Sequence, residues 1–438
     1  MLTSKMFNST HVMNIRAAQK RLLLAVAFCS QGLMAAEQPL PETPALEQIE
    51  AVVIPAAPTQ SFANWLADFR NEATSLGIST PTLDTAFAMV VEPLPRILEL
   101  DRSQPEFVQT FTGYMRNRMS DRRVERGRRM LVEHRELFAE IQNKYGVQPH
   151  YLAAFWALES NFGDETGGFS VINALATLAY DPRRADFFRT ELLTALRIID
   201  QGHIPAEAMT GSWAGAMGQC QFMPSTFMNY AVDGDGDGKI NIWTSLPDVF
   251  ASAAHYLSSL GWKHDERWGR EVVLPTNFDF AMSGTGVRKT VSEWNSLGIM
   301  RADGSALGNA DIIGSIIVPA GAKGPAFLAY NNFHTILEWN RSNFYAIAVG
   351  HLADRFAGEG AIQHMPAVEE RALAREEVME MQNLLNSMGF DTGTPDGVAG
   401  SRTREAIRAY QLQNNLQADG YVSFEMLALL RTLPTIQQ

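Results

Sequence analysis

The segment Pro-His-Tyr-Leu-Ala-Ala-Phe-Trp-Ala-Leu-Glu-Ser-Asn-Phe-Gly, residues 149–163, decides how this chain is read. Pro149 suits the first position of a helix, and Gly163 suits the exit beyond its last turn. Leu152, Phe155, Trp156 and Glu159 recur at helical spacing, which puts a carboxylate on a stripe of large apolar side chains. Burial beside Trp156 and the negative end of the helix dipole both raise the pKa of such a carboxyl. A carboxylic acid that stays protonated near neutral pH is what a general acid for glycosidic cleavage requires. The same residues also read as a helix-terminal Glu followed by a capping Ser160-Asn161 turn, and this segment alone does not choose between the two.

Working outward, residues 211–227 read Gly-Ser-Trp-Ala-Gly-Ala-Met-Gly-Gln-Cys-Gln-Phe-Met-Pro-Ser-Thr-Phe. The glycines let a backbone approach a ligand closely, and Ser212, Gln219 and Gln221 offer neutral groups suited to sugar hydroxyls and acetamido groups. The alternative is a tight turn between packed helices. Next comes Asp-Gly-Asp-Gly-Asp-Gly-Lys-Ile-Asn, residues 233–241. Side chains of Asp233, Asp235 and Asp237, with the Lys239 carbonyl, match the first half of a calcium loop. Position twelve is Thr244 rather than the bidentate Glu of a standard loop.

Glu-Ser-Asn-Phe-Gly followed by Gly-Ala-Met-Gly-Gln-Cys-Gln-Phe-Met-Pro resembles the lytic murein transglycosylases, most of all the membrane-bound lytic murein transglycosylase B family. Further matches are Asp181-Pro182-Arg183-Arg184, the acidic loop, and Glu338-Trp339-Asn340-Arg341-Ser342, so the resemblance covers residues 61–356. It implies a lysozyme-like fold. It also implies that Glu159 is the sole catalytic acid/base. Ser212, Gln221, Tyr256, Asn340 and Tyr345 are expected to line a glycan site, with Tyr114, Arg183 and Arg184. Trp339 stands where the family commonly has another aromatic and is expected to stack on a sugar face. The resemblance also suggests that Asp248 closes the metal loop, making a bound Ca2+ structural; no cofactor is expected for the chemistry.

A lysozyme-type hydrolase normally sets two carboxyl groups about the scissile bond. The sequence offers no obvious second one: Asp164 and Glu165 fall in a Gly-rich loop. The resemblance implies instead that Glu159 protonates the oxygen between N-acetylmuramic acid and N-acetylglucosamine. The substrate's own acetamido group would steady the cationic centre. Glu159 would then take a proton from the muramyl 6-hydroxyl, which attacks intramolecularly to give a 1,6-anhydro end. The rival readings are a lysozyme-type murein hydrolase and a non-catalytic peptidoglycan-binding scaffold.

Past a small polar hinge at 357–370, residues 371–435 hold three helical stripes. Pro395-Asp396-Gly397-Val398-Ala399-Gly400 and Asp419-Gly420 form the turns between them. These residues resemble the peptidoglycan-binding domain type one. From Glu271 to Pro325 short β-branched runs with turn residues predict a small inserted β subdomain. The expected class is therefore mainly α (α+β): a lysozyme-like helical body with a β insert, plus a C-terminal three-helix module.

The net charge of −12 argues against nucleic acid as the main partner. The seven arginines between Arg116 and Arg129 read as a solvated helix face. Lys20-Arg21, a short apolar run and Ala35-Ala36 predict a signal peptide at 1–36, with Met13 a candidate start, and 37–60 reads as a linker. Cys29 follows Phe28, where a lipoprotein signal wants a small residue, so no lipid anchor is expected. Only Cys220 would remain after signal removal, which rules out an internal disulfide. The expectation is a soluble periplasmic monomer without a transmembrane segment. Its partners would be glycan strands and other cell-wall enzymes.

Overall fold

The computed structural model describes residues 60–103, 109–366 and 370–432. The signal segment and almost all of the 37–60 linker lie outside the described residues.

Two helices form the centre of the body because neither has a polar face. In Pro149–Ser160 every residue from Tyr151 to Ala157 is buried, and in Asn343–Phe356 so is every residue from Tyr345 to Asp354. Helices of that kind belong in an interior, and Phe111–Arg118, Asp121–Glu133 and Asn331–Trp339 pack around the pair. Helix Asp121–Glu133 carries most of the arginine run, with Arg122, Arg128 and Arg129 exposed, and several of its guanidiniums also tie into the body. Arg128 donates to the Arg355 carbonyl at 2.6 Å, Arg123 to the Arg118 carbonyl at 3.0 Å, and Arg126 pairs with Asp164. Gly127 on the same helix makes room for Phe356: a Cβ there would stand 2.1 Å from the ring.

The β insert is an antiparallel sheet. Its strands are β3 (Gly269–Val273), β4 (Lys289–Thr290), β5 (Met300–Arg301), β6 (Ile313–Ile317) and β7 (Ala326–Ala329); a separate ladder joins β1 (Phe169–Ser170) to β2 (Thr210–Gly211). The order in the larger sheet is β4-β6-β7-β3-β5, with Gly269 opposite Ala329 and Ile317 opposite Phe327. It extends beyond the expected 271–325 at both ends. Strand β7, Ala-Phe-Leu-Ala, is central and buried on both faces, so it lacks the alternation by which a half-exposed strand is recognised. Val272, Trp294, Ile299, Ile316 and Leu328 give the insert its own core.

A buried polar knot joins sheet to body. The Trp268 backbone N–H donates to the Tyr151 hydroxyl at 2.9 Å, and its indole N–H to Asp354 at 2.8 Å. Arg267 spans Asp354 and Glu359 at 3.1 and 2.9 Å. Burial pushes the Asp354 carboxyl up to about 6, against the pull of Arg267. Through Tyr151 this knot also fixes the helix that ends in Glu159.

The C-terminal module is three helices, Arg375–Ser387, Ser401–Gln413 and Phe424–Arg431, around Met381, Leu385, Ile407, Leu427 and Leu430. One device appears twice. Buried Gln382 accepts from the N–H groups of Asp396 and Gly397 at 3.0 and 2.9 Å, and Gln411 accepts from Gly420 at 2.8 Å. Each helix thus pins the Asp-Gly turn that follows it. The module meets the body at the turn after β6: Asp419 accepts from the Ala322 N–H at 2.8 Å, and Lys323 pairs with Glu425 at 2.7 Å.

Candidate active site

The helix Pro149–Ser160 ends in an unusual exit. Asn161, Phe162 and Gly163 follow one another with φ of 50°, 60° and 85°. A non-glycine residue in this left-handed region costs on the order of 1 kcal/mol or more. The exit is held from three sides. The N–H groups of Asn161 and Phe162 both return to the Trp156 carbonyl, Gly163 donates to Ser160 Oγ at 3.1 Å, and Glu165 donates to the Ser160 carbonyl at 2.9 Å. A Cβ on Gly163 would come within 2.5 Å of Gln219 Oε1, so the glycine serves both its backbone angle and its neighbour.

Half-buried Glu159 sits in the last turn. One of its oxygens, Oε1, accepts from the Trp339 indole N–H at 2.8 Å and from the Tyr345 hydroxyl. No described residue bonds the other oxygen, Oε2, so the proton of the neutral acid belongs there. Burial pushes the carboxyl up to about 7; the hydrogen bonds from Tyr345 and Trp339 and the charge of Arg118 act the other way. No second carboxylate figures among these influences. Asp164 is held below the usual carboxylate range by its hydrogen bond from Arg126, and exposed Glu165 accepts from Asn161 Nδ2 at 3.1 Å.

Aromatic rings build the wall around the acid. Trp339 lies 4.5 Å from Phe155 and 5.3 Å from both Phe222 and Tyr256, and Tyr256 lies 4.5 Å from Tyr230. Trp339 therefore orients the carboxyl as well as offering a ring face. Tyr114 packs at 5.8 Å from Phe344, the neighbour of Tyr345, and Asn340 is exposed just beyond Trp339.

Residues 211–222 fold back on themselves through bridges from Met217 to Gly211 and to Phe222. Ser212 Oγ accepts from the Ala216 N–H at 3.0 Å, and Gln221, at φ 50°, donates to the carbonyls of Thr166 and Gly218 at 3.0 and 2.8 Å. Gln221 Oε1 remains as an acceptor. Gln219 does not do what its polarity suggested: it is buried, accepting from Trp156 Nε1 at 2.7 Å and donating to the Trp243 carbonyl at 2.9 Å. Cys220 is buried too, its thiol bonded to the Val249 carbonyl and pushed up by burial, as suits an inert side chain.

The arginine pair has partners of its own. Arg183 donates to the Asp101 carbonyl at 2.8 Å and pairs with its carboxylate, while Arg184 lies 4.9 Å from the rings of both Phe187 and Phe188. Arg118, overlooked in the sequence, does bear on the acid. Its spacing of four from Tyr114 on one helix was the available signal.

In the acidic loop, carboxylate oxygens of Asp233, Asp235 and Asp248 come within 4.8 Å of one another. Asp248 is buried and accepts from the N–H groups of Gly234 and Asn241 at 2.7 and 2.6 Å. Exposed Asp237 instead accepts from the Lys239 N–H at 2.8 Å. Three converging carboxylates with no ion pair among the described residues repel one another, and this donor set fits a hard cation.

Comparison with known proteins agrees with this geometry. Residues 61–354 match the transglycosylase SLT domain, and residues 374–430 match a peptidoglycan binding domain. Membrane-bound lytic murein transglycosylase B of Escherichia coli (strain K12) is 32% identical over 219 residues, 49% of this chain and 58% of that relative, so the match spans little more than half of it. SltB3 from Pseudomonas aeruginosa, solved in complex with NAG-anhNAM-pentapeptide, superposes with a TM-score of 0.82 at 43% identity, covering 85% of this chain and 100% of that one. The Escherichia coli lytic transglycosylase Slt35 in complex with calcium gives a TM-score of 0.58 at 27% identity, over 68% of this chain and 93% of that one. Among the described residues no helix is long and apolar enough to cross a membrane. This chain belongs to the transglycosylase SLT family of peptidoglycan-acting enzymes, with a lysozyme-like helical body and a peptidoglycan binding domain behind it.

Proposed function

We propose that this chain cleaves the β-1,4 bond between N-acetylmuramic acid and N-acetylglucosamine in peptidoglycan and leaves 1,6-anhydromuramyl ends. The observation that carries this reading is the single carboxyl of Glu159, protonated up to about pH 7, with Oε1 held by two donors and Oε2 left for a ligand. Glu159 gives its proton to the glycosidic oxygen as the C–O bond breaks, then takes the proton of the muramyl 6-hydroxyl as that oxygen bonds to C1. Water is not consumed. Support comes from the relatives solved with NAG-NAM-pentapeptide and NAG-anhNAM-pentapeptide, which differ in the muramyl end. Ser212, Gln221, Tyr256, Trp339, Asn340, Tyr345 and Tyr114, with Arg183 and Arg184, line the groove and hold the sugar for intramolecular attack.

The reading extends to the rest of the chain. Asp233, Asp235 and Asp248, with Asp237 and the Lys239 carbonyl nearby, hold a structural Ca2+, in line with the calcium complex of Slt35. Residues 1–36 export the chain to the periplasm, 37–60 and 357–370 are linkers, 61–356 the catalytic domain and 371–435 the wall-binding module. Docking on the wall raises the catalytic domain's effective concentration at its substrate. The test is mass spectrometry of murein digested with the wild type and with Glu159→Gln. Anhydro-ended muropeptides from the wild type alone are expected; products carrying a full added water would sink the proposal.

A further inference from the structure

Arg118 closes the helix Phe111–Arg118 with its guanidinium Cζ 5.5 Å from the Tyr114 ring centroid. Its backbone is held by the hydrogen bond from Arg123 to its carbonyl, 3.0 Å. The side chain is half-buried, and no described residue accepts a hydrogen bond from it or forms an ion pair with it. Its charge is felt at Glu159, Tyr345 and Arg123. Of the groups expected to meet the sugar, Ser212, Gln221, Asn340 and Tyr256 are neutral, Arg183 is already paired with Asp101, and Arg184 lies against Phe187 and Phe188. A half-buried guanidinium with a planar fork of donors and no acceptor is made for a carboxylate.

We propose that Arg118 is the anion-reading residue of the glycan groove, binding a free carboxylate on the peptide side arm of the muramyl residue that Glu159 acts upon. This rests on the peptidoglycan reading above and adds a specificity to it. Alone, Arg118 opposes the task of Glu159, because a cation nearby favours the ionised carboxyl. A substrate carboxylate bound to Arg118 cancels that effect and leaves Glu159 with its proton once the strand is seated. Strands bearing charged peptide arms are then both held and more readily cleaved.

The experiment compares peptide-bearing glycan strands with the same strands whose side-arm carboxylates have been converted to amides. The full chain is used as wild type, Arg118→Gln and Arg118→Lys. For the wild type, amidation should lower kcat/KM about tenfold, the worth of one charge-assisted hydrogen bond. Arg118→Gln should lose about tenfold on the charged strands and respond no further to amidation, while Arg118→Lys recovers part of the difference. A wild type indifferent to amidation would overturn the proposal, as would an Arg118→Gln protein that still shows the tenfold drop. A uniform loss on both substrates with an unchanged melting temperature would equally overturn it. If the wild type cleaves neither substrate, the peptidoglycan reading itself fails, which is a separate outcome.

Discussion

Glu159→Gln should make the protein more stable at alkaline pH while removing its activity, and the size of the gain follows from the site. The folded carboxyl gives up its proton near pH 7, against about 4.5 for the ordinary group. A group whose pKa is raised by folding stabilises the native state fully below the unfolded value and loses that contribution as pH climbs through the folded value. At about 1.4 kcal/mol per pH unit, the loss between pH 5 and pH 8 comes to about 2.5 kcal/mol, or about 1.5 kcal/mol once solvent screening on the open side is allowed for. Glutamine does not titrate. Its carbonyl oxygen still accepts from Trp339 and Tyr345, and its amide takes the place of the protonated Oε2. Asp354 also titrates with a raised pKa, but it does so in both proteins and cancels in the difference. Calorimetry of the two proteins at pH 5, 6, 7 and 8 should therefore show wild-type melting temperatures falling behind the variant by roughly 2–4 °C at the alkaline end. Parallel pH dependences would refute the claim that Glu159 is the group that titrates near neutrality.

Tyr345→Phe removes a hydrogen bond that holds the Glu159 carboxyl down, so the basic limb of the kcat–pH profile should move to higher pH; a move to lower pH would contradict the geometry. Adding calcium to the chelator-treated protein should raise its melting temperature by several degrees. Asp235→Asn should abolish that response while leaving muropeptide cleavage at room temperature intact. Asp354→Ala leaves the Trp268 indole N–H without its acceptor and Arg267 with Glu359 alone, and urea unfolding should show a loss of about 1–3 kcal/mol. A loss below 1 kcal/mol would mean that the knot between sheet and body carries little.

The helix that ends in Glu159 was legible because proline, an apolar stripe and a terminal glycine all agree on its limits. The three-residue left-handed exit was not, because Asn161 and Phe162 adopt that conformation only under tertiary restraint. Gln219 and Gln221 look alike in sequence, two residues apart in one loop. Their fates differ because Trp156 and the Trp243 carbonyl lie where only Gln219 reaches. Trp339 was expected as a sugar platform from its family position. That its indole N–H is aimed at Glu159 depends on how the two helices pack, which no local pattern encodes. The pairing of Arg183 with Asp101 is likewise a contact across 82 residues. Strand β7 was hidden because a strand buried on both faces loses the period that reveals one.

The two donors on a single oxygen of Glu159 bear on the order of events. Since Trp339 and Tyr345 occupy Oε1, the two proton transfers of the proposed mechanism would both use Oε2: the proton leaves from there and another returns to the same spot. The departing sugar oxygen and the incoming 6-hydroxyl therefore compete for one position and cannot occupy it together. The acid stroke must be vacated before the base stroke begins, so a geometric constraint works as a clock. A molecule that fills that position with a non-leaving donor would stop the cycle halfway, with the strand held and neither end released.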